Sequence, residues 1–167
     1  MSGKRLFENM NGMMKKELEL DLSREEIEAL SSVYISRGIK QEAWEITRIK
    51  FSGTVLTAAV RMTSTFVSPT DPDGFHLTIF CTQEILAQLA NIHLHVSAGH
   101  KTKCRESWMR ECHFNYRNVI RRPDNIQVEM DMVSQRWVGD TLVGKVVARM
   151  FDDQGGWFMA TLKGMLR

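Results

Sequence analysis

The segment from Gly74 to Gly99, GFHLTIFCTQEILAQLANIHLHVSAG, restricts the possible folds more than any other. Apolar residues point in nearly every direction around it: Ile79, Phe80, Cys81, Ile85, Leu86, Leu89, Ala90, Ile92, Leu94 and Val96. A surface helix carries one apolar stripe opposite a charged face. Here Glu84 is the single charge between Ile79 and Val96, so a buried helix is expected. Its middle (Thr82, Gln83, Glu84, Gln88, Asn91) is too polar to cross a bilayer, which takes about 20 mostly apolar residues. Burial would oblige Glu84 and Gln88 to find polar partners or a polar ligand, because an unpaired buried carboxylate is costly.

Most of the remaining chain reads as strand. Ala43–Phe51 and Thr54–Val67 are rich in β-branched and aromatic residues and meet at Ser52-Gly53, a hairpin signal. Ser68–Gly74, SPTDPDG, reads as a loop, since its two prolines and its glycine break a strand. After Gly99 a basic connection, His100–Arg105, leads to a strand over Ser107–Ile120. Ile126–Val138, Thr141–Phe151 and Trp157–Leu166 follow, separated by turns at RRPDN, VGD and DDQGG. Ile126, Val128, Met130 and Met132 alternate with Gln127, Glu129 and Asp131, the two-residue period of a strand covered on one face. Ahead of the strands, Ser23 and Glu26 form a capping box for a helix over Ser23–Tyr34, with Gly38 as its stop. Residues 1–22 read as an arm and 23–167 as one domain.

A length of 167 residues suits that single domain, and a net charge of +2 gives no global attraction to nucleic acid. The cysteines, Cys81, Cys104 and Cys112, lack metal or disulfide spacing and read as reduced thiols. The first twenty residues have no apolar core of a secretory signal, so a cytoplasmic location is expected, with no membrane span. His93, His95, His100 and Cys104 do not suggest a metal site, because helix positions two apart do not share a face.

The order is helix, two strands, buried helix, four strands, an α+β arrangement. Short loops between the last four strands imply an antiparallel meander. A twisted antiparallel sheet wrapped around a long central helix is the hotdog fold. Its open sheet edges favour a homodimer.

QEILAQLA resembles the central-helix signature of hotdog acyl-thioester enzymes, in which an acidic residue is followed four positions later by Gln; here these are Glu84 and Gln88. TLVGKVVARMFDDQGGWFMATLKGML is similar to the closing hairpin of that superfamily. Within it, the chain from about Leu30 onward resembles the FcoT-type acyl thioesterase family. VYISRG with Tyr34, TSTF followed by a loop and GFHLT with His76, then AQLA, RRPDNIQVEM and FDDQGGWFMATLKGML carry the resemblance in order. Two positions depart from the family pattern: Phe66 stands where it has a second Tyr, and Leu77 or Thr78 where it has Asn. Thr70 stands about where the dehydratase branch has its His, and nothing matches the His/Asp signature of 4-hydroxybenzoyl-type thioesterases. The resemblance implies a hydrolase of acyl-ACP or acyl-CoA thioesters in fatty-acid or polyketide-type metabolism. No cofactor is implied beyond the phosphopantetheine or CoA that carries the substrate. Three alternatives stay open: Michael addition of an amino acid such as glycine to an enoyl thioester, followed by thioester hydrolysis; dehydration of a 3-hydroxyacyl thioester; and a non-catalytic acyl-binding hotdog.

Glu84 is the expected general base, a buried carboxylate with a raised pKa that activates water or an attacking amine. His76, at the head of the central helix, either orients the thioester carbonyl or shuttles a proton. Gln88, one turn after Glu84 on the same face, holds the water or the acyl oxygen. Tyr34, Phe66 and Phe80 are expected to line an acyl tunnel, with Thr78 as a substrate contact where the family has its Asn. The resemblance further implies that free N–H groups at the start of the helix, around Phe75–Phe80, receive the oxyanion. Arg121 and Arg122, in a basic region with Arg105, Arg110, Arg117, Lys101 and Lys103, suit the phosphates or acidic surface of the carrier.

Overall fold

Alternation along the strands decides which side of the sheet is covered. In β6 (Ile126–Val138), Ile126, Val128, Met130 and Met132 are buried, as the two-residue period requires. The same rule buries Leu56, Ala58 and Val60 of β4 (Val55–Ser64) and Leu142, Val146, Ala148 and Met150 of β7 (Thr141–Phe151). It also buries Phe158, Ala160, Leu162 and Leu166 of β8 (Trp157–Leu166). With β3 (Ala43–Ser52) and β5 (Ser107–Asn118) these form one antiparallel sheet in the order β3-β4-β6-β7-β8-β5. The hairpins β3–β4, β6–β7 and β7–β8 follow the turns read from the sequence. A two-residue pair, β1 (Ile35–Ser36) with β2 (Ile39–Lys40), precedes the sheet and was not expected.

This computed structural model describes residues 22–36 and 39–167, in two units that meet at Ser32/Val33. The expected N-terminal arm therefore lies, except for Leu22, outside the described residues. In the first unit, α1 (Arg24–Leu30) starts on the expected capping box: Ser23 Oγ accepts from Glu26 N and Glu26 accepts from Ser23 N. The helix stops at Leu30, well short of Tyr34. Ser31 is extended (ψ 156°) and its hydroxyl bonds the Ile27 carbonyl at 2.6 Å, the side-chain competition that ends helices at serine.

In the second unit, α2 (Ile79–Ser97) connects β4 to the far edge strand β5 and packs on β7, β8 and β5. Residues 74–78 are not helical, so α2 begins later than the apolar run. Thr78 caps its start, and its end is a Schellman closure. The N–H of His100 bonds His95 O, the N–H of Gly99 bonds Val96 O, and Gly99 has φ +80°. Cys81, Ile85, Leu86, Leu89 and Leu94 are sunk into the sheet, as are His93 and His95. The opposite face is open, with Ile79, Gln83, Glu84, Gln88 and Val96 exposed. The expectation of a helix covered on most sides is thus corrected, because one sheet layer has one face to offer. The three cysteines are free thiols, and no described helix is long and apolar enough to cross a membrane.

Gly156, at the β7–β8 turn, sits against the chain that leaves β5. A Cβ there would strike the Val119 carbonyl oxygen and come within 2.6 Å of Ile120 Cα, both backbone. We expect Gly156→Ala to cost about 2 kcal/mol or more, measured by urea unfolding. An unchanged midpoint would show that residues 119–120 yield without strain.

Candidate active site

The cap of α2 determines which helix-end groups remain free. Thr78 Oγ1 accepts from Cys81 N at 3.4 Å, and Thr78 O takes the N–H of Thr82 at 3.0 Å. The first four N–H groups of a helix have no intrahelical partner beyond the cap. The cap serves those of Cys81 and Thr82, which leaves Ile79 N and Phe80 N. Both residues line a cavity of about 420 Å³, with Tyr34, His76, Leu77, Thr78, Tyr116, Arg117, Asn118, Val119, Ile120 and Phe158. Its walls are mainly apolar; its polar groups are Tyr34, His76 and Thr78 near the head of α2, and Tyr116, Arg117 and Asn118 at the end of β5.

His76 is held there by a carboxylate. Its Nδ1 lies 2.6 Å from Asp71 Oδ2 and 3.4 Å from the Tyr34 hydroxyl. A carboxylate only accepts, so Nδ1 carries the proton and Nε2 is left as the basic nitrogen. The bond from His76 holds Asp71 below the usual carboxylate range, helped by the Asp73 N–H and the Arg121 charge. The Tyr34 ring stands edge-on to both His76 and Phe66. Burial pushes the Tyr34 phenol up.

The expected residues divide between two places. Tyr34, His76, Thr78 and Phe80 meet in the cavity, and Phe66 backs Tyr34 without lining it. Glu84 and Gln88 share a different, open groove with Trp44, Ala87, Asn91, Lys103, Glu106 and Ser107. The buried, raised-pKa Glu84 of the sequence reading is corrected: its side chain is 50% exposed. What burial it has would raise its pKa, but hydrogen bonds from Lys40 and from Trp44 Nε1 (3.0 Å), with the Lys40 charge, outweigh that and hold it low. Arg121 and Arg122 are committed to carboxylates. Arg121 bonds Asp73 and Phe75 O at 3.3 Å and lies 3.6 Å from Asp71, while Arg122 bonds Asp124 at 3.1 Å. Neither lines the cavity.

Three residues of this neighbourhood escaped the sequence reading. Asp71 looked like one more turn former in SPTDPDG, and nothing in its spacing marked it as the partner of His76. Glu42, 3% exposed, takes the Thr78 hydroxyl proton at 2.7 Å and faces the Cys81 thiol at 3.3 Å. Its second oxygen is buried without a partner among the described residues. Thr78 is therefore a cap whose proton is committed, and Cys81 is a thiol pushed up to about 11 by burial and by the Glu42 charge. Lys40, from the unforeseen β1–β2 pair, ties Glu84 to this cluster, with Nζ 3.7 Å from Cys81 Sγ.

A single buried carboxylate holds the far wall. Asp152 accepts from Arg121 N (2.9 Å), Arg122 N (3.3 Å), Gln154 N (2.9 Å) and Gly156 N (2.7 Å). The strand end so fixed presents Ile120 O to Leu77 N at 2.9 Å, immediately before the cap.

No protein-family model matches the sequence, and no curated protein sequence matches it. Solved structures do. They include yhdA of Lactococcus lactis (12% identity, 73% of this chain and 92% of that one, TM-score 0.52) and a mutant of the thioesterase PA1618 of Pseudomonas aeruginosa (17%, 72% and 80%, 0.51). A third is smu.793 of Streptococcus mutans bound to acetyl CoA (13%, 75% and 90%, 0.51). At these identities the likeness is one of fold: the antiparallel six-stranded sheet with a helix packed against it is that of hotdog-fold thioesterases.

Burial raises the pKa of Asp152, but its backbone hydrogen bonds outweigh burial and keep it below the usual carboxylate range. Their contribution is complete above the unfolded carboxylate pKa and is lost as pH falls through the lowered folded value. Asp152→Asn should cost about 2 kcal/mol at neutral pH, with the gap to wild type closing in strong acid. Denaturant unfolding across pH measures this, and a gap independent of pH would mean that the ionised form is not what those N–H groups hold.

Proposed function

We propose that the chain is an acyl-thioester hydrolase of the FcoT type, acting on acyl groups carried by coenzyme A or acyl carrier protein in fatty-acid or polyketide-type metabolism. The observation that carries this reading is the Asp71–His76 pair at the head of α2, on the wall of an apolar cavity, beside two uncapped N–H groups. The fold, the thioesterase PA1618 and the acetyl CoA bound by smu.793 are consistent with it.

The acyl chain lies against Leu77, Ile79, Phe80, Val119, Ile120 and Phe158, and its carbonyl oxygen meets the N–H groups of Ile79 and Phe80. As water adds to the carbonyl, His76 Nε2 takes its proton, and the imidazolium is steadied by Asp71. The helix N-terminus stabilises the negative oxygen of the tetrahedral intermediate. Collapse releases the acid and the carrier thiolate, which regains a proton from His76. Glu84 and Gln88 act at the boundary with a second copy. The exposed edge strand β5, with Trp108, Met109 and Tyr116, joins its counterpart in a homodimer, which also covers the open face of α2.

The test is turnover of saturated and enoyl thioesters of coenzyme A, with and without glycine. Free acid from the saturated substrate is expected. His76→Ala should lower kcat/KM about 100-fold, Asp71→Asn less, and Glu84→Gln least. No hydrolysis by wild type would sink the proposal. A β-amino product formed only with glycine would favour Michael addition. Loss of activity in Glu84→Gln with none in His76→Ala would return the base to Glu84.

A further inference from the structure

The cavity has an uneven charge. None of its lining residues is Asp or Glu, while Arg117 and the N-terminus of α2 both make it positive. Arg117 differs from its neighbours Arg121 and Arg122, which are committed to Asp71, Asp73 and Asp124. Among the described residues no carboxylate pairs with it. Its backbone position is also special. The pairing of β5 with β8 runs Tyr116↔Phe158 and then Asn118↔Trp157, so Arg117 is the extra residue of a β-bulge. A bulge re-aims the side chain it carries, and bulges gather beside binding sites. Tyr116, Arg117 and Asn118 all line the cavity as a result.

We propose that Arg117 is a specificity residue that receives an anionic group of the substrate, a phosphate of the carrier or a carboxylate of the acyl part, at the rim of the cavity. The planar guanidinium forms two parallel N–H···O bonds with either oxyanion, which an ammonium cannot copy. The inference rests on the cavity being the thioester site, but it concerns binding and is tested without turnover.

The experiment is calorimetric titration of the full chain with three probes that it cannot hydrolyse at a thioester: coenzyme A, pantetheine (which lacks the phosphates), and a pantetheine thioether whose alkyl chain ends in a carboxylate. Wild type, Arg117→Ala and Arg117→Lys are compared, and circular dichroism checks that each is folded. Arg117 is the residue the β5–β8 register skips and makes no ladder pair with β8, so the variants should fold. If the anion is the carrier phosphate, Arg117→Ala weakens coenzyme A about tenfold or more and leaves both pantetheine ligands unchanged. If it is an acyl carboxylate, the loss falls on the carboxylate-bearing thioether alone. In either case Arg117→Lys recovers only part of the affinity, and added salt narrows the difference. Equal affinities of wild type and Arg117→Ala for all three probes, or no binding of either anionic probe by wild type, would overturn the proposal.

Discussion

Everything at the head of α2 depends on how that helix is anchored. Its inner face, Cys81, Ile85, Leu86, Leu89 and Leu94, is committed to the sheet. Its first turn is fixed separately, by the Thr78 cap and by Leu77 N on Ile120 O. Hydrophobic burial supplies most of the stability but has no direction. The two polar contacts supply direction, and so decide where the uncapped N–H groups lie. Asp152 extends the constraint to the opposite wall, since its oxygens hold the backbone of Arg121 and Arg122 next to Ile120. A cavity between a helix end and a strand end keeps its shape only if both ends are tied, and here the ties share residues.

The same arrangement separates two kinds of electrostatics. On the open face of α2, Glu84 is paired with the Lys40 ammonium and hydrogen-bonded by the Trp44 indole N–H, which leaves a carboxylate of low basicity. In the cavity, the carboxylate of Asp71 does not face the reacting space directly. It acts through His76, whose tautomer it selects. A low-pKa carboxylate is a poor base at neutral pH, whereas an imidazole held by a carboxylate is a good one. The two candidate bases thus differ in chemistry as much as in position.

Much of the fold was legible because periodicity carries it. The alternation of β6, the hairpin glycines and the capping box at Ser23 are local signals, and they led to the right elements. The long apolar run misled in one respect: it marked a helix in contact with a sheet, but hydrophobicity alone does not count the faces a single layer covers. Thus Glu84 lies on the helix, as its sequence position implies, but on the open face and not in the core. The site was less legible. The structure brings His76 and Tyr34 together, but the charged groups around them, around Thr78 and around Glu84 carry no local sequence signal. Asp71 was hidden in a loop rich in turn formers, and Glu42 and Lys40 act through contacts about forty residues away in sequence. Arg121 looked available because its partners, Asp71 and Asp73, lie in the distant SPTDPDG loop, whereas Arg122 is paired within RRPDN itself, by Asp124.

The central claim is that the acyl carbonyl binds at the head of α2. A crystal structure with a ketone analogue of an acyl-CoA thioester, in which CH2 replaces sulfur, tests it most directly. The account predicts the carbonyl oxygen within hydrogen-bond reach of Ile79 N and Phe80 N, with His76 beside the carbonyl carbon. An analogue seated in the groove of Trp44, Glu84 and Gln88, with the cavity empty, would contradict it.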